Sequence, residues 1–217
     1  MARRLIPTIM ILSALLVLGG CLMDATVDAN GAGVMTVKYR LTNEAQFEPT
    51  KKRFESTHVK LTSASVDKDK WGTFEIKFDD VTKLPTAPFF ASATISLTDG
   101  EAGTKLLSIK QVNKNPSKLS DEMVAYFGKD VTVSVNLPGE VVKSNATTTK
   151  DKTVAWKYPM NDFVSAPEVS MNATFKPGTG KETQKTTAEG GTAEPAAKGS
   201  GQGEKENPQQ PAHKSGK

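Results

Sequence analysis

Met35-Thr36-Val37-Lys38-Tyr39-Arg40-Leu41-Thr42 alternates apolar and polar side chains, one for one. A period of two places all four apolar groups on one face of an extended chain, so this is a strand with one wet side. Before it, Asp28-Ala29-Asn30-Gly31-Ala32-Gly33 offers residues that tolerate positive φ, and residues 22–27 are expected to pair back as the other arm of a hairpin. A second hairpin is expected from Val59–Val66 and Thr73–Phe78 across Asp67-Lys68-Asp69-Lys70, and a third from Ala93–Leu97 and Lys105–Val112 across Asp99-Gly100 and Gly103. Further strands are expected at 131–137, 153–158 and 169–175.

Two stretches break this pattern. Leu119, Met123, Tyr126 and Phe127 recur at helical spacing, with Asn115 as the expected N-cap, Pro116 in the first turn and Gly128 as the stop. A shorter helix is expected from Pro49 to about Ser56, carrying Lys51, Lys52 and Arg53 together. The fold class that follows is α+β: a bent antiparallel β-sheet built of hairpins and covered by one or two helices.

The N-terminus has its own logic. Arg3 and Arg4 precede an apolar run over residues 5–18 that closes in Leu18-Gly19-Gly20-Cys21. A charged, then apolar, then small-residue order is that of a secretory signal, and the run is shorter than the roughly 20 residues that a membrane-spanning helix needs. A leucine three residues before a cysteine, with two small residues between, resembles the signal of bacterial lipoproteins. That chemistry needs a thiol to carry a thioether-linked diacylglycerol and small residues to admit a peptidase. Residues 1–20 are therefore expected to be removed and Cys21 to become the lipid anchor, with the membrane as its partner. Cys21 is the only cysteine, so disulfides are not expected to stabilise the mature chain.

The C-terminal segment differs in composition. After Phe175 there is no Val, Ile, Leu, Met, Phe, Trp or Tyr, and such a segment cannot bury enough apolar surface to offset the entropy of ordering it. Residues 177–217 are thus expected to form a disordered hydrophilic tail, suited to a spacer or to contact with an envelope polymer, and residues 21–176 to form one folded domain. The net charge of +4 comes from scattered lysines without a basic stripe interleaved with aromatics, so no nucleic-acid partner is expected.

The usual catalytic chemistries lack their residues. His58 and His213 are the only histidines, and a Ser/His/Asp unit would have to use His58, which reads as a strand-edge side chain. Zinc would need a Cys/His cluster that the chain does not have. Asp67, Asp69 and Gly72 match three positions of a calcium loop, but Trp71 and Phe78 stand where oxygen ligands are required. Adjacent Asp79 and Asp80 would point to opposite faces of a strand and read as a strand end. There is no glycine-rich phosphate loop, and no cofactor is expected.

Leu137-Pro138-Gly139-Glu140-Val141-Val142-Lys143-Ser144-Asn145, followed by Thr153-Val154-Ala155-Trp156, resembles the LppM-like domain of bacterial envelope lipoproteins: a strand ending in Pro-Gly, a Val-x-x-Ser-Asn segment, and a returning strand with tryptophan. The resemblance spans most of Cys21 to Phe175. It implies a lipid-anchored domain outside the cytoplasm, in the cell membrane or outer membrane, without an enzymatic activity. The expected function is that of a non-enzymatic envelope lipoprotein binding a lipid, glycolipid or protein partner. The competing reading is an envelope hydrolase or transferase with a site assembled from scattered residues. Phe89 and Phe90, in the proline-punctuated stretch Leu84-Pro85-Thr86-Ala87-Pro88-Phe89-Phe90, are the candidate rim of a ligand groove, expected between the sheet and the helix carrying Leu119, Met123, Tyr126 and Phe127.

Overall fold

The computed structural model describes residues 20–178; of the expected signal segment 1–20 and the expected tail 177–217, residues 1–19 and 179–217 lie outside the described residues. Eleven strands form two sheets. In the first, β1 (Gly20–Val27), β2 (Gly33–Arg40), β3 (Val59–Val66), β4 (Trp71–Phe78), β7 (Asp130–Asn136), β9 (Thr148–Lys150) and β10 (Thr153–Pro159) run in the order β3-β4-β2-β1-β7-β10-β9. In the second, β5 (Ala93–Asp99), β6 (Lys105–Val112), β8 (Gly139–Ser144) and β11 (Glu168–Pro177) run β5-β6-β11-β8. Three short helices, α1 (Phe47–Arg53), α2 (Asp121–Phe127) and α3 (Met160–Ser165), lie among them.

All three expected hairpins form, and their turns are made by the residue types that mark them. Asp28 Oδ1 accepts the N–H groups of Asn30 and Ala32 at 2.8 and 3.0 Å, and Gly31 takes a φ of 88° that a side chain would resist. Asp67 Oδ1 does the same for Asp69 and Trp71, both at 2.9 Å, so the oxygen that resembled a calcium ligand is spent on its own turn.

The α+β class holds, and two details of the expected sheet differ in the structure. The sheet is not wholly antiparallel: β1 lies parallel to β7, with Cys21 opposite Val131 and Ala25 opposite Val135. A parallel pair needs a long crossover rather than a turn, and here the connection carries β2 to β6, which no local pattern reveals. Nor do helices cover the sheet face; the second sheet does. Val37, Phe74, Ile76, Phe78 and Trp156 of the first sheet share one buried cluster with Leu107, Met171, Ala173 and Phe175 of the second.

The helix expected from Pro116 starts at Asp121, because Ser120 caps it by accepting the Met123 N–H at 3.3 Å while the Leu119 N–H is held by Asn161 Oδ1 at 2.8 Å. It buries no side chain and leaves Met123 45% exposed. It is clipped to the end of β2 instead: the Arg40 guanidinium stacks 4.2 Å from the Tyr126 ring and donates to the Tyr126 carbonyl, and the Tyr126 hydroxyl donates to the Leu41 carbonyl at 2.7 Å.

The segment from Leu137 to Trp156 joins the two sheets. Asn145 Oδ1 accepts the Trp156 indole N–H at 2.8 Å and the Asn172 N–H at 2.7 Å, while Asn145 Nδ2 donates to the Ser170 carbonyl at 2.9 Å. One amide thereby ties β10 in the first sheet to β11 in the second. A side chain at Gly139 would overlap the Lys176 carbonyl, so the close pairing of β8 with β11 requires glycine there. Of Asn145 and Asn172, which begin Asn-x-Thr triplets, Asn145 thus holds the joint through its side chain and Asn172 through its backbone.

Asn145→Ala should cost about 1–3 kcal/mol, since it strands the buried indole N–H. Combining it with Trp156→Phe should cost less than the sum of the two single changes, because both remove the same hydrogen bond. Denaturant unfolding of the four proteins measures this, and strict additivity would show that the two side chains are not coupled.

Candidate functional site

An apolar cavity of about 180 Å³ lies between the sheets. Met23, Ala25 and Val27 from β1, Ile95 from β5, Ile109 from β6 and Met171 from β11 supply much of its wall, so residues far apart in the chain meet there. Among the described residues, Ser92, Gln111 and Ser134 are the only polar ones lining it. Alternation explains the β1 row: Met23, Ala25 and Val27 share one face, and the residues between them face away.

Phe89 and Phe90 both line this cavity. They stand on two short 3₁₀ turns, Val81–Thr86 and Pro88–Phe90, the first opened by Asp80, whose Oδ1 accepts the Thr82 N–H at 2.8 Å. The Phe89 ring stacks on Phe54 at 4.2 Å and meets Phe90 edge-on at 5.0 Å, within a cluster that includes Tyr39 and Phe74. Phe90 is buried and Phe89 partly so, which makes them a packed wall. The expected groove beneath α2 is not what forms: Leu119, Met123, Tyr126 and Phe127 are all absent from the cavity lining. Phe163 of α3 takes part instead. That helix has six residues and no capping side chain, so its sequence carried little signal.

Cys21 is the second residue of β1, in the same inward row as Met23 and opposite Val131. Burial pushes its thiol up to about 11. The neutral thiol therefore persists through neutral pH, and the reactive thiolate forms only as pH approaches that value.

The remaining candidates occupy structural positions. His58 Nδ1 lies 3.1 Å from both Asp79 oxygens, and among the described residues no serine or threonine hydroxyl bonds the ring. Asp79 and Asp80 serve separate ends, one pairing with His58 and the other capping the 3₁₀ turn. Lys51 bonds Glu48 at 3.1 Å, and the Arg53 guanidinium sits 5.7 Å from the Phe89 ring, so these two basic side chains are engaged by their own surroundings. No described helix is long and apolar enough to cross a membrane.

In the folded, unlipidated chain, alkylation of Cys21 by iodoacetamide at pH 8 should be at least about tenfold slower than in the denatured chain, and its rate should climb as pH approaches 11. A rate profile with its midpoint at the ordinary thiol value near 8.5 would contradict the buried placement.

The LppM domain family matches residues 23–176 of this chain. No curated protein matches it. Among solved structures, the NMR structure of the folded domain of LppM from Mycobacterium tuberculosis is similar, at 16% identity and a TM-score of 0.45 over 74% of this chain and 90% of that one. The family match takes in both sheets, the Pro-Gly strand end and the Asn145–Trp156 joint, and the chain belongs to the LppM family of lipoprotein-type domains.

Proposed function

We propose that this protein is a lipid-anchored component of a bacterial cell envelope, without enzymatic activity, that takes up the hydrocarbon chain of an amphiphile between its two sheets. The observation that carries the reading is the cavity walled by β1, β5, β6 and β11, whose lining is apolar but for three residues. Cavities with such walls stay dry and accept hydrocarbon; one of about 150 Å³ admits benzene. By that scale, 180 Å³ suits about seven carbons, the inner half of an ordinary acyl chain. Membership of the LppM family and the Leu18-Gly19-Gly20-Cys21 signal support attachment outside the cytoplasm through Cys21. Two or three acyl chains on that residue hold firmly to a bilayer, where one holds only marginally.

The anchor is tested by Cys21→Ser, which should abolish metabolic labelling with a fatty acid and move the chain from the membrane to the soluble fraction. Labelling that survives the substitution would end the proposal of Cys21 as the anchor.

The cavity is tested in the soluble Cys21→Ser chain with a fluorescent acyl probe. Ala25→Leu places three more carbons in the cavity; entering free space it costs little, whereas overpacking a filled core costs about 1–3 kcal/mol. Probe affinity should fall at least about tenfold with the unfolding midpoint held or raised. Equal affinity in the two proteins, or no probe binding by either, would overturn the acyl reading.

A further inference from the structure

We propose that the cavity and a hollow beside it form one amphiphile site, in which the hydrocarbon lies between the sheets and an anionic headgroup lies against Lys114. The proposal rests on the acyl reading above and adds the headgroup class. A second hollow of about 380 Å³ opens where the chain leaves β6, and it shares two residues with the cavity, Ser92 and Gln111. These form the seam: Gln111 Nε2 donates to Ser92 Oγ at 2.6 Å, next to the Ala93–Gln111 register pair that ends the β5–β6 ladder.

The two sides of that seam differ in kind. Inward lie Ile109, Ala93 and Phe163; outward the hollow is lined by Asn113, Lys114, Asn115 and Ser117, with Val112, Leu119 and Val164 as its apolar groups. The outer wall is firm on one side, because Asn113 Nδ2 donates to the carbonyls of Phe163 and Ala166, both at 2.7 Å, and so fixes the end of α3 against the end of β6. The Leu119 N–H, held by Asn161 on the same helix, secures the loop that closes the hollow.

A polar hollow that meets an apolar cavity at two shared residues, Ser92 and Gln111, matches the shape of a molecule with a hydrocarbon end and a polar end. The sign of the charge follows from the lining. Lys114 is the one charged residue of the hollow, no aspartate or glutamate lines it, and among the described residues Lys114 forms no ion pair. An ammonium free of internal partners, beside amides and hydroxyls able to donate, favours phosphate, sulfate or carboxylate over a neutral or cationic group. In this wet setting one unit charge at contact is worth roughly fivefold in affinity, and salt screens it.

The experiment uses the soluble Cys21→Ser chain and four amphiphiles with one octyl tail, matched to the cavity: octyl phosphate, octyl sulfate, octyl glucoside and octyltrimethylammonium. Each displaces the fluorescent acyl probe, below its micelle concentration and at low salt. Octyl phosphate and octyl sulfate should displace it at concentrations roughly fivefold or more below the other two. Lys114→Gln should erase that preference while leaving octyl glucoside unchanged, as should raising the ionic strength. Equal potency of all four compounds, a preference for the glucoside, or an anion preference that survives Lys114→Gln would each overturn the headgroup assignment and leave the acyl reading standing. Failure of every octyl compound to displace a bound probe, or failure of the probe to bind, would overturn the acyl reading itself.

Discussion

The side-chain amide of Asn145 is the joint on which the two-sheet arrangement depends. Two β-sheets packed face to face are held by apolar contact, which is non-directional and does not by itself set how one sheet is placed on the other. Three hydrogen bonds from one amide, to the Trp156 indole, the Asn172 N–H and the Ser170 carbonyl, add direction at a place where β10 and β11 approach. Each such bond contributes only about 0.5–1.5 kcal/mol net, yet leaving the indole N–H unmet in its buried position would cost more than the bond itself gives. The Trp156 ring, 1% exposed, can thus enter the shared core without an orphaned donor.

Along β1 the core is less full, and small side chains contribute to it. Sheets stack about 10 Å apart, a gap that large inward residues from both sides must close. The first sheet contributes Phe74, Ile76 and Phe78 through β4, and the 3₁₀ turns add Phe90. Ala25 of β1 and Ala93 of β5, however, both line the cavity, where larger side chains would narrow it. The same wall contains Met23, Met35 and Met171, unbranched and polarizable side chains that adapt to irregular occupants.

How far the sequence disclosed this depends on the range of each interaction. Hairpin turns were legible because Asp28 and Asp67 bond backbone groups two and four residues away, within any local window. Met35, Val37, Tyr39 and Leu41 were legible because alternation is a property of a single strand. The parallel β1–β7 pair was not, since about a hundred residues separate Ala25 from Val135, and nothing in either strand names its partner. The helix at Asp121–Phe127 was recognised but assigned the wrong neighbour: its apolar spacing suggested a face buried on a sheet, whereas Tyr126 is held by Arg40, a residue whose place in an alternating strand marked it only as polar. Phe89 and Phe90 line the cavity from 3₁₀ turns that carry Pro85 and Pro88, both ahead of them in the chain, and that local punctuation is visible in the sequence. Ser92, Gln111 and Phe163 carried no comparable signal, for they meet only through the pairing of β5 with β6 and the docking of α3.

In the proposed function the first strand would link attachment to binding. Cys21, Met23, Ala25 and Val27 form one inward row, so the proposed anchor residue lies on the same face of the same strand as the cavity wall, two residues from its nearest member. At about 3.3 Å per residue that is roughly 7 Å along the strand. Lipid chains attached at Cys21 would begin beside the apolar space between the sheets and run from there toward the bilayer, which would hold the cavity near the surface from which the proposed amphiphile would be drawn. A long flexible spacer between anchor and domain would let the domain drift away from that surface, but β1 is hydrogen-bonded on both edges, to β2 and to β7, from Leu22 onward. The distance between anchor and cavity is consequently set by a sheet rather than by a linker.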